Sequence, residues 1–148
     1  MIYRQLIEDL EKWSQRPNRK PLVLRGARQV GKTTLIDEFG KRYTVYIKLN
    51  LEQSTNAALF DKSDNVTEIF QLICLLKKVT VDESKRTLLF IDEIQNAPKA
   101  VGLLRYFYEE MPWLHIIAAG SRLQSLIKQR ISSVSYTHLR AHETDSYL

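Results

Sequence analysis

Apolar residues recur along the chain in two alternating patterns. Short apolar runs bounded by polar or turn residues are typical of strands, whereas apolar residues spaced every three or four positions are typical of amphipathic helices. The helix that ends at Gly40, for example, places Leu35, Ile36 and Phe39 on one face. The predicted strands are 22–25, 43–49, 87–91 and 113–119, and the predicted helices are 2–14, 32–40, 55–60, 65–79, 97–110 and one that begins at 123.

The strand patterns also predict where each strand lies in a sheet. Residues 87–91 and 113–119 are apolar at nearly every position, which is typical of central strands covered on both faces. Residues 43–49 alternate apolar and polar side chains, which favours a sheet edge or one wet face. Strands that alternate with helices predict an α/β fold built on a parallel sheet with right-handed crossovers.

A glycine-rich turn joins the first strand to the next helix. The residues from Gly26 to Thr33 have the spacing Gly-x-x-x-x-Gly-Lys-Thr, which is that of the phosphate-binding P-loop. Its backbone N–H groups and the positive end of the helix dipole would surround an anion. Lys32 would reach the β- and γ-phosphates, and the hydroxyl of Thr33 would bind Mg²⁺. The predicted nucleotide-binding residues are Gly26, Ala27, Arg28, Gln29, Val30, Gly31, Lys32, Thr33 and Thr34.

Two carboxylates follow the apolar run at 87–91. In P-loop ATPases an acidic residue at the end of such a strand holds Mg²⁺, usually through water, and a carboxylate beside it can act as general base. Asp92 is therefore the predicted metal-site residue, together with Thr33, and Glu93 is the predicted base. Because the P-loop precedes this pair in the same chain, each motif strengthens the other.

The chain resembles the prokaryotic AAA-type P-loop ATPases in which an N-terminal ATPase domain precedes an uncharacterised C-terminal domain. The matching segments are 25–33, 90–95 and 118–122. The resemblance implies a P-loop NTPase three-layer sandwich with strand order 5-1-4-3-2. It also implies a polar sensor at Ser121, counted among the catalytic residues with Glu93 and Lys32. An N-cap of the last helix is the other interpretation of Ser121.

These features predict a Mg²⁺-dependent ATPase that drives a conformational change in a C-terminal domain or a protein partner. A GTPase is disfavoured because the chain has no Asn-Lys-x-Asp motif. One alternative is an ATP-dependent DNA-binding switch in which hydrolysis only resets the protein. Another is a truncated fragment of such an ATPase without activity of its own. Whether the protein forms oligomers is left open, as is a role for Arg130 as an arginine finger.

The composition of the chain bears on its partners and on its cellular compartment. The 148 residues carry a net charge of +5, which suits polyanionic partners such as ATP and leaves nucleic acid as a candidate. The sequence has no apolar run of the length of a membrane span and no apolar signal core at its N-terminus. One cysteine, Cys74, rules out an intramolecular disulfide and agrees with a reducing cytoplasm.

The last residues differ in character from the rest. Residues 134–148 resemble the in-frame translation of a transposase-based sequencing adapter, so they are set apart from the fold. The predicted domain is therefore 1–133, incomplete at its C-terminus, followed by a non-native tail at 134–148. On this interpretation the fifth strand is missing, and the first strand becomes an exposed edge.

Overall fold

The fold alternates strands and helices, as the apolar pattern predicts. The computed structural model describes residues 2–25, 30–120 and 135–138. The helices are α1 (Ile2–Ser14), α2 (Val30–Gly40), α3 (Ser54–Ala58), α4 (Val66–Lys77) and α5 (Pro98–Glu110), and the strands are β1 (Leu22–Arg25), β2 (Val45–Asn50), β3 (Thr87–Asp92), β4 (His115–Gly120) and β5 (Ser135–His138). Short 3₁₀ turns lie at Leu59–Asp61 and Ile94–Asn96. The predicted helix from 123 lies outside the described residues.

One parallel sheet runs through the molecule in the order β2-β3-β4-β1-β5. Read from the other side, this is the order 5-1-4-3-2, so the predicted fold class and strand order are confirmed. β3 and β4 are interior, and every described residue of β4 is buried. β2 lies at the edge of the sheet, as its alternating pattern predicts.

The expectation of a missing fifth strand is wrong. Ser135–His138 pairs in parallel with β1, in the register Leu22 to Ser135 through Arg25 to His138, and covers the edge that was expected to be exposed. Strand pairing uses main-chain N–H and C=O groups, so the open edge of β1 accepts an extended segment whatever its origin. The proposed boundary at residue 133 stays a prediction, because such pairing does not distinguish native from foreign sequence.

Helices cover both faces of the sheet, which makes the three-layer sandwich. On one face, α1 and α2 pack over a cluster that includes Leu88, Phe90 and Ile117. On the other, α3, α4 and α5 pack over a cluster that includes Leu89, Ile91 and Ile116. The alternation of β3 between the two clusters follows from the opposite directions of successive side chains in a strand. No helix among the described residues is long and apolar enough to cross a membrane.

The apolar spacing along the predicted helix 65–79 places Leu76 in its buried stripe, but the structure does not. Leu76 is 47% exposed, whereas Val66, Ile69 and Ile73 are fully buried. The helix ends at Lys77, Lys78 takes a left-handed conformation, and the core contacts are taken up again by Val79 in the following segment. The helical spacing of apolar residues thus continues in the sequence after the last helical turn that packs on the core.

A polar and aromatic network joins α1 to the N-terminal end of the sheet. Glu11 pairs with Arg42 at 3.0 Å and with Arg86 at 3.4 Å. The Arg86 guanidinium lies over the ring of Tyr43, 4.4 Å from its centroid. The Tyr43 hydroxyl and His115 Nδ1 are hydrogen-bonded at 2.6 Å. Burial, helped by the positive charges of nearby arginines, lowers the pKa of His115 to about 3.

The buried histidine makes stability depend on pH. The folded protein leaves His115 neutral down to a pKa of about 3, whereas the unfolded chain protonates it near 6.5. The unfolded state binds more protons in between, so the free energy of unfolding falls as the pH falls below about 6.5. Burial is the main cause of the lowered pKa. The charges of Arg19 and Arg86 lower it further, and the charge of Glu11 raises it.

We expect His115→Asn to remove this part of the pH dependence, since asparagine keeps a hydrogen-bonding group facing Tyr43 but does not titrate. Between pH 7 and pH 5 the natural protein should lose about 2 kcal/mol more of its unfolding free energy than the variant. Urea unfolding at the two pH values measures the difference. Equal pH slopes for the two proteins would contradict the assignment of a neutral buried His115.

Candidate active site

The carboxyl ends of the parallel strands meet the N-terminus of α2 at one edge of the sheet. Arg25 at the end of β1 lies beside Gly120 at the end of β4, and Ile91 near the end of β3 pairs with Ala118. In open α/β sheets this edge is where ligands bind. A Cβ placed on Gly31, in the first turn of α2, would meet no described atom within 4 Å. The protein's own packing therefore does not require glycine there, which fits a backbone that a phosphate approaches.

Asp92 is held at both carboxylate oxygens. Thr33 Oγ1 donates to Asp92 Oδ2 at 3.3 Å, and the backbone N–H of Glu93 donates to Oδ1 at 2.9 Å. Burial, together with the charge of Glu93, raises the pKa of Asp92, while these two hydrogen bonds and the ammonium of Lys32 act in the opposite direction. The structure thus brings the P-loop threonine into contact with the acidic residue 59 positions later.

Lys32 is buried beside the same two carboxylates. Its exposed fraction is 7%. Burial lowers the pKa of its ammonium, and the negative charges of Asp92 and Glu93 raise it. A desolvated ammonium gains more from an anionic partner than an exposed one does, because the local dielectric is lower. The burial of Lys32 therefore strengthens its interaction with neighbouring negative charges.

Glu93 has an unusual backbone. Its φ of 53° and ψ of 48° place it in the left-handed region, which non-glycine residues rarely adopt. The side chain is buried, with 7% exposure, and Glu93 Oε1 accepts a hydrogen bond from Gln95 Nε2 at 2.9 Å. Strained backbone of this kind costs about 1–3 kcal/mol and concentrates at functional sites. No sequence pattern signals this conformation, because it depends on how β3 meets the next turn.

Several predicted residues cannot be placed in this geometry. Gly26, Ala27, Arg28 and Gln29 lie outside the described residues, as does the predicted sensor Ser121. Val30 begins α2, and Thr34 follows Thr33 on the exposed side of the helix. The structure thus brings together Lys32, Thr33, Asp92 and Glu93. The roles assigned to these residues stay predictions.

A second polar contact between α2 and the sheet was not predicted. Asp37, one helical turn after Thr33, accepts hydrogen bonds from Tyr46 Oη at 2.6 Å and from Lys48 Nζ at 3.0 Å. A Cβ on Gly40 would lie 2.7 Å from the Tyr46 ring, so the end of α2 rests directly on that ring. The polar face of β2 was expected to mark an edge strand or a wet face. The edge is confirmed, but Tyr46 and Lys48 on that face bind α2.

The donor set fits a magnesium ion. Mg²⁺ prefers oxygen ligands, usually takes one or two carboxylates, and completes its shell with water and substrate phosphates. Thr33 and Asp92 present a hydroxyl and a carboxylate oxygen within 3.3 Å of each other. In the described part of the chain, no group of three or more His, Cys, Asp or Glu residues could hold a metal unaided. A metal ion at this site would therefore need further ligands besides Thr33 and Asp92, such as the phosphate oxygens of a nucleotide.

The fold and this edge define a P-loop ATPase of the AAA type. A sequence profile described as an AAA domain matches residues 18–142, and the chain belongs to that family. A comparison with curated proteins found no match.

Solved structures share the fold at low sequence identity. The Aeropyrum pernix ORC1 protein, in a complex with DNA, superposes with a TM-score of 0.57 at 15% identity over 95% of this chain and 44% of that one. PCH-2 of C. elegans gives 0.54 at 17% identity over 91% and 41%, and a Walker-type ATPase of Pyrococcus abyssi gives 0.50 at 18% identity over 96% and 53%. The chain thus spans about half the length of these structures.

We expect Asp37→Ala to destabilise the fold by about 1–3 kcal/mol, because the Tyr46 hydroxyl loses a charged acceptor in a partly buried position. The ion pair with Lys48 adds little, since both side chains are more than a third exposed. Urea unfolding measures the change. Glu38→Ala is the matched control: Glu38 is the next residue on α2, and its ion pair with Lys41 is exposed, so its effect should stay within about 0.5 kcal/mol. Equal effects of the two substitutions would contradict a structural role for Asp37.

Proposed function

We propose that this chain binds ATP with Mg²⁺ and hydrolyses it to ADP and phosphate. The observation that carries the proposal is the convergence of Lys32 and Thr33 from α2 with Asp92 and Glu93 from the end of β3, joined by the 3.3 Å contact between Thr33 and Asp92. Phosphoryl transfer to water needs positioning and charge stabilisation more than covalent chemistry. These four side chains supply both.

Each residue has a separate task in this proposal. Lys32 binds the β- and γ-phosphates, and the backbone N–H groups at the start of α2 add the positive end of the helix dipole. Thr33 and Asp92 would hold Mg²⁺, which neutralises charge on the phosphates when bound. The raised pKa of Asp92 reflects a carboxylate that is buried beside a second one, and a cation at this position would favour its ionised form.

Glu93 acts as the general base. Its carboxylate removes a proton from the attacking water, while the oxygen of that water forms a bond to the γ-phosphorus. The bond from the γ-phosphorus to the bridging oxygen breaks, and its electron pair leaves with ADP. General-base catalysis contributes about 10²–10⁴-fold to a rate.

Glu93→Gln should therefore lower ATP turnover by at least about 100-fold and leave ATP binding within about twofold, because the amide keeps the shape but cannot accept the proton. Phosphate release and the binding of a fluorescent ATP analogue measure the two effects. Lys32→Ala is the companion variant and should lose binding itself. Turnover that is equal in the natural protein and in Glu93→Gln would remove Glu93 as base, and the absence of turnover in both would favour an inactive fragment.

The hydrolysis cycle would act on a partner or on a further domain. This chain spans about half of the solved structures that share its fold, and the proposed cycle supplies a conformational change that such an additional element would use.

DNA is a second candidate partner, favoured by the net charge of +5 and by the DNA present with the ORC1 protein that shares the fold. If the protein is an ATP-dependent DNA switch, Glu93→Gln with ATP should bind labelled duplex DNA more tightly than the nucleotide-free protein. The affinity should fall steeply with salt as counterions are displaced. Fluorescence anisotropy at two salt concentrations tests both points, and no binding in either nucleotide state would remove this candidate.

A further inference from the structure

Gln95 lies in the 3₁₀ turn that follows the proposed base. Its Nε2 donates a hydrogen bond of 2.9 Å to Glu93 Oε1. Ile94, between the two, is fully buried in the core below the turn. Backbone hydrogen bonds from Asn96 to Glu93 and from Ala97 to Ile94 close the turn. The anchored Ile94 therefore fixes the two polar side chains on either side of it relative to each other.

The other half of the Gln95 amide is an unusual feature. Its Oε1 is buried and has no hydrogen-bond partner among the described residues. The amide cannot be turned around to relieve this, because the oxygen would then face the Glu93 carboxylate, and both groups accept hydrogen bonds. Leaving a buried acceptor unpaired costs about 1–3 kcal/mol, so such an atom calls for a donor.

The position of this oxygen restricts what the donor can be. The amide nitrogen and oxygen of Gln95 share one carbon atom, so a donor bound to the side of the oxygen that faces the nitrogen also lies near the carboxylate that the nitrogen binds. A water molecule has two hydrogens and can donate to both groups at once.

We propose that Gln95 is a positioning residue for the attacking water. An amide N–H of Gln95 holds the Glu93 carboxylate, and the carbonyl oxygen of Gln95 accepts one hydrogen of the water whose other proton passes to Glu93. The water oxygen then forms the bond to the γ-phosphorus, and the hydrogen that remains bound to Gln95 stays with the new phosphate. This inference rests on the proposed function, since it requires Glu93 to be the base.

The test is a double-mutant cycle between the two residues. Gln95→Met keeps the length of the side chain and removes both amide groups. We expect kcat to fall by about tenfold or more, with KM and the affinity for a fluorescent ATP analogue within about twofold. In the Glu93→Gln background the same substitution should cost much less than in the unsubstituted protein, because the water that Gln95 holds then has no base to receive its proton. Single-turnover measurements with excess enzyme reach the slow rates of these variants.

Controls separate this role from a structural one. Gln71→Met makes the same change at an exposed position of α4 and should leave kcat unchanged. Thermal unfolding checks that each variant folds. If Gln95→Met does not, Gln95→Glu offers a side chain of nearly the same shape that cannot donate to Glu93, and it should show the same loss of kcat.

Three results would overturn the inference while the proposed function stands: an unchanged kcat, a raised kcat, or equal fractional losses in the natural and Glu93→Gln backgrounds. A raised kcat would mean that Gln95 restrains Glu93 instead of assisting it. If Glu93→Gln alone keeps full turnover, the base assignment fails, and the role of Gln95 fails with it.

Discussion

Burial of β3 on both faces is the constraint on which the site depends. Its side chains alternate between the α1–α2 layer and the α3–α5 layer, with Leu88 and Phe90 on one side and Leu89 and Ile91 on the other. A strand packed in this way cannot slide by one residue without exchanging its two faces. Its end is therefore fixed, and with it the position at which Asp92 leaves the sheet toward α2.

Two polar contacts hold α2 to the sheet above this apolar layer. Thr33 reaches Asp92 at the end of β3, and Asp37, on the same face of the helix, reaches Tyr46 and Lys48 on β2. The helix that carries the proposed phosphate-binding residues Lys32 and Thr33 is thus held to two neighbouring strands, by contacts that lie one helical turn apart on α2. A charge-assisted hydrogen bond is directional, whereas apolar packing is not, so these contacts define the rotation of α2 about its axis.

The two ends of the sheet use ionisable groups differently. At the N-terminal end, Glu11 is paired with arginines, and partial burial alone would raise its pKa, but the hydrogen bond from Arg42 and the charge of Arg86 lower it. At the C-terminal end, Asp92 and Glu93 bring two carboxylates together with one buried lysine, and the pKa of Asp92 is raised. In the first arrangement the carboxylate already has its cationic partners within the protein. In the second arrangement, the proposed magnesium nucleotide would place a cation beside the two carboxylates and an anion beside the lysine.

The sequence by itself determined the alternation of strands and helices, the central position of β3 and β4, and the two motifs at 26–33 and 92–93, because periodicity and local spacing encode these features. It did not determine the contact of Asp37 with Tyr46 and Lys48, the left-handed backbone of Glu93, or the strand that covers β1. Each of these depends on which segments the fold brings side by side. Side chains far apart in the chain meet only after the helices pack on the sheet, and an open strand edge pairs through its main chain, which carries no sequence signal.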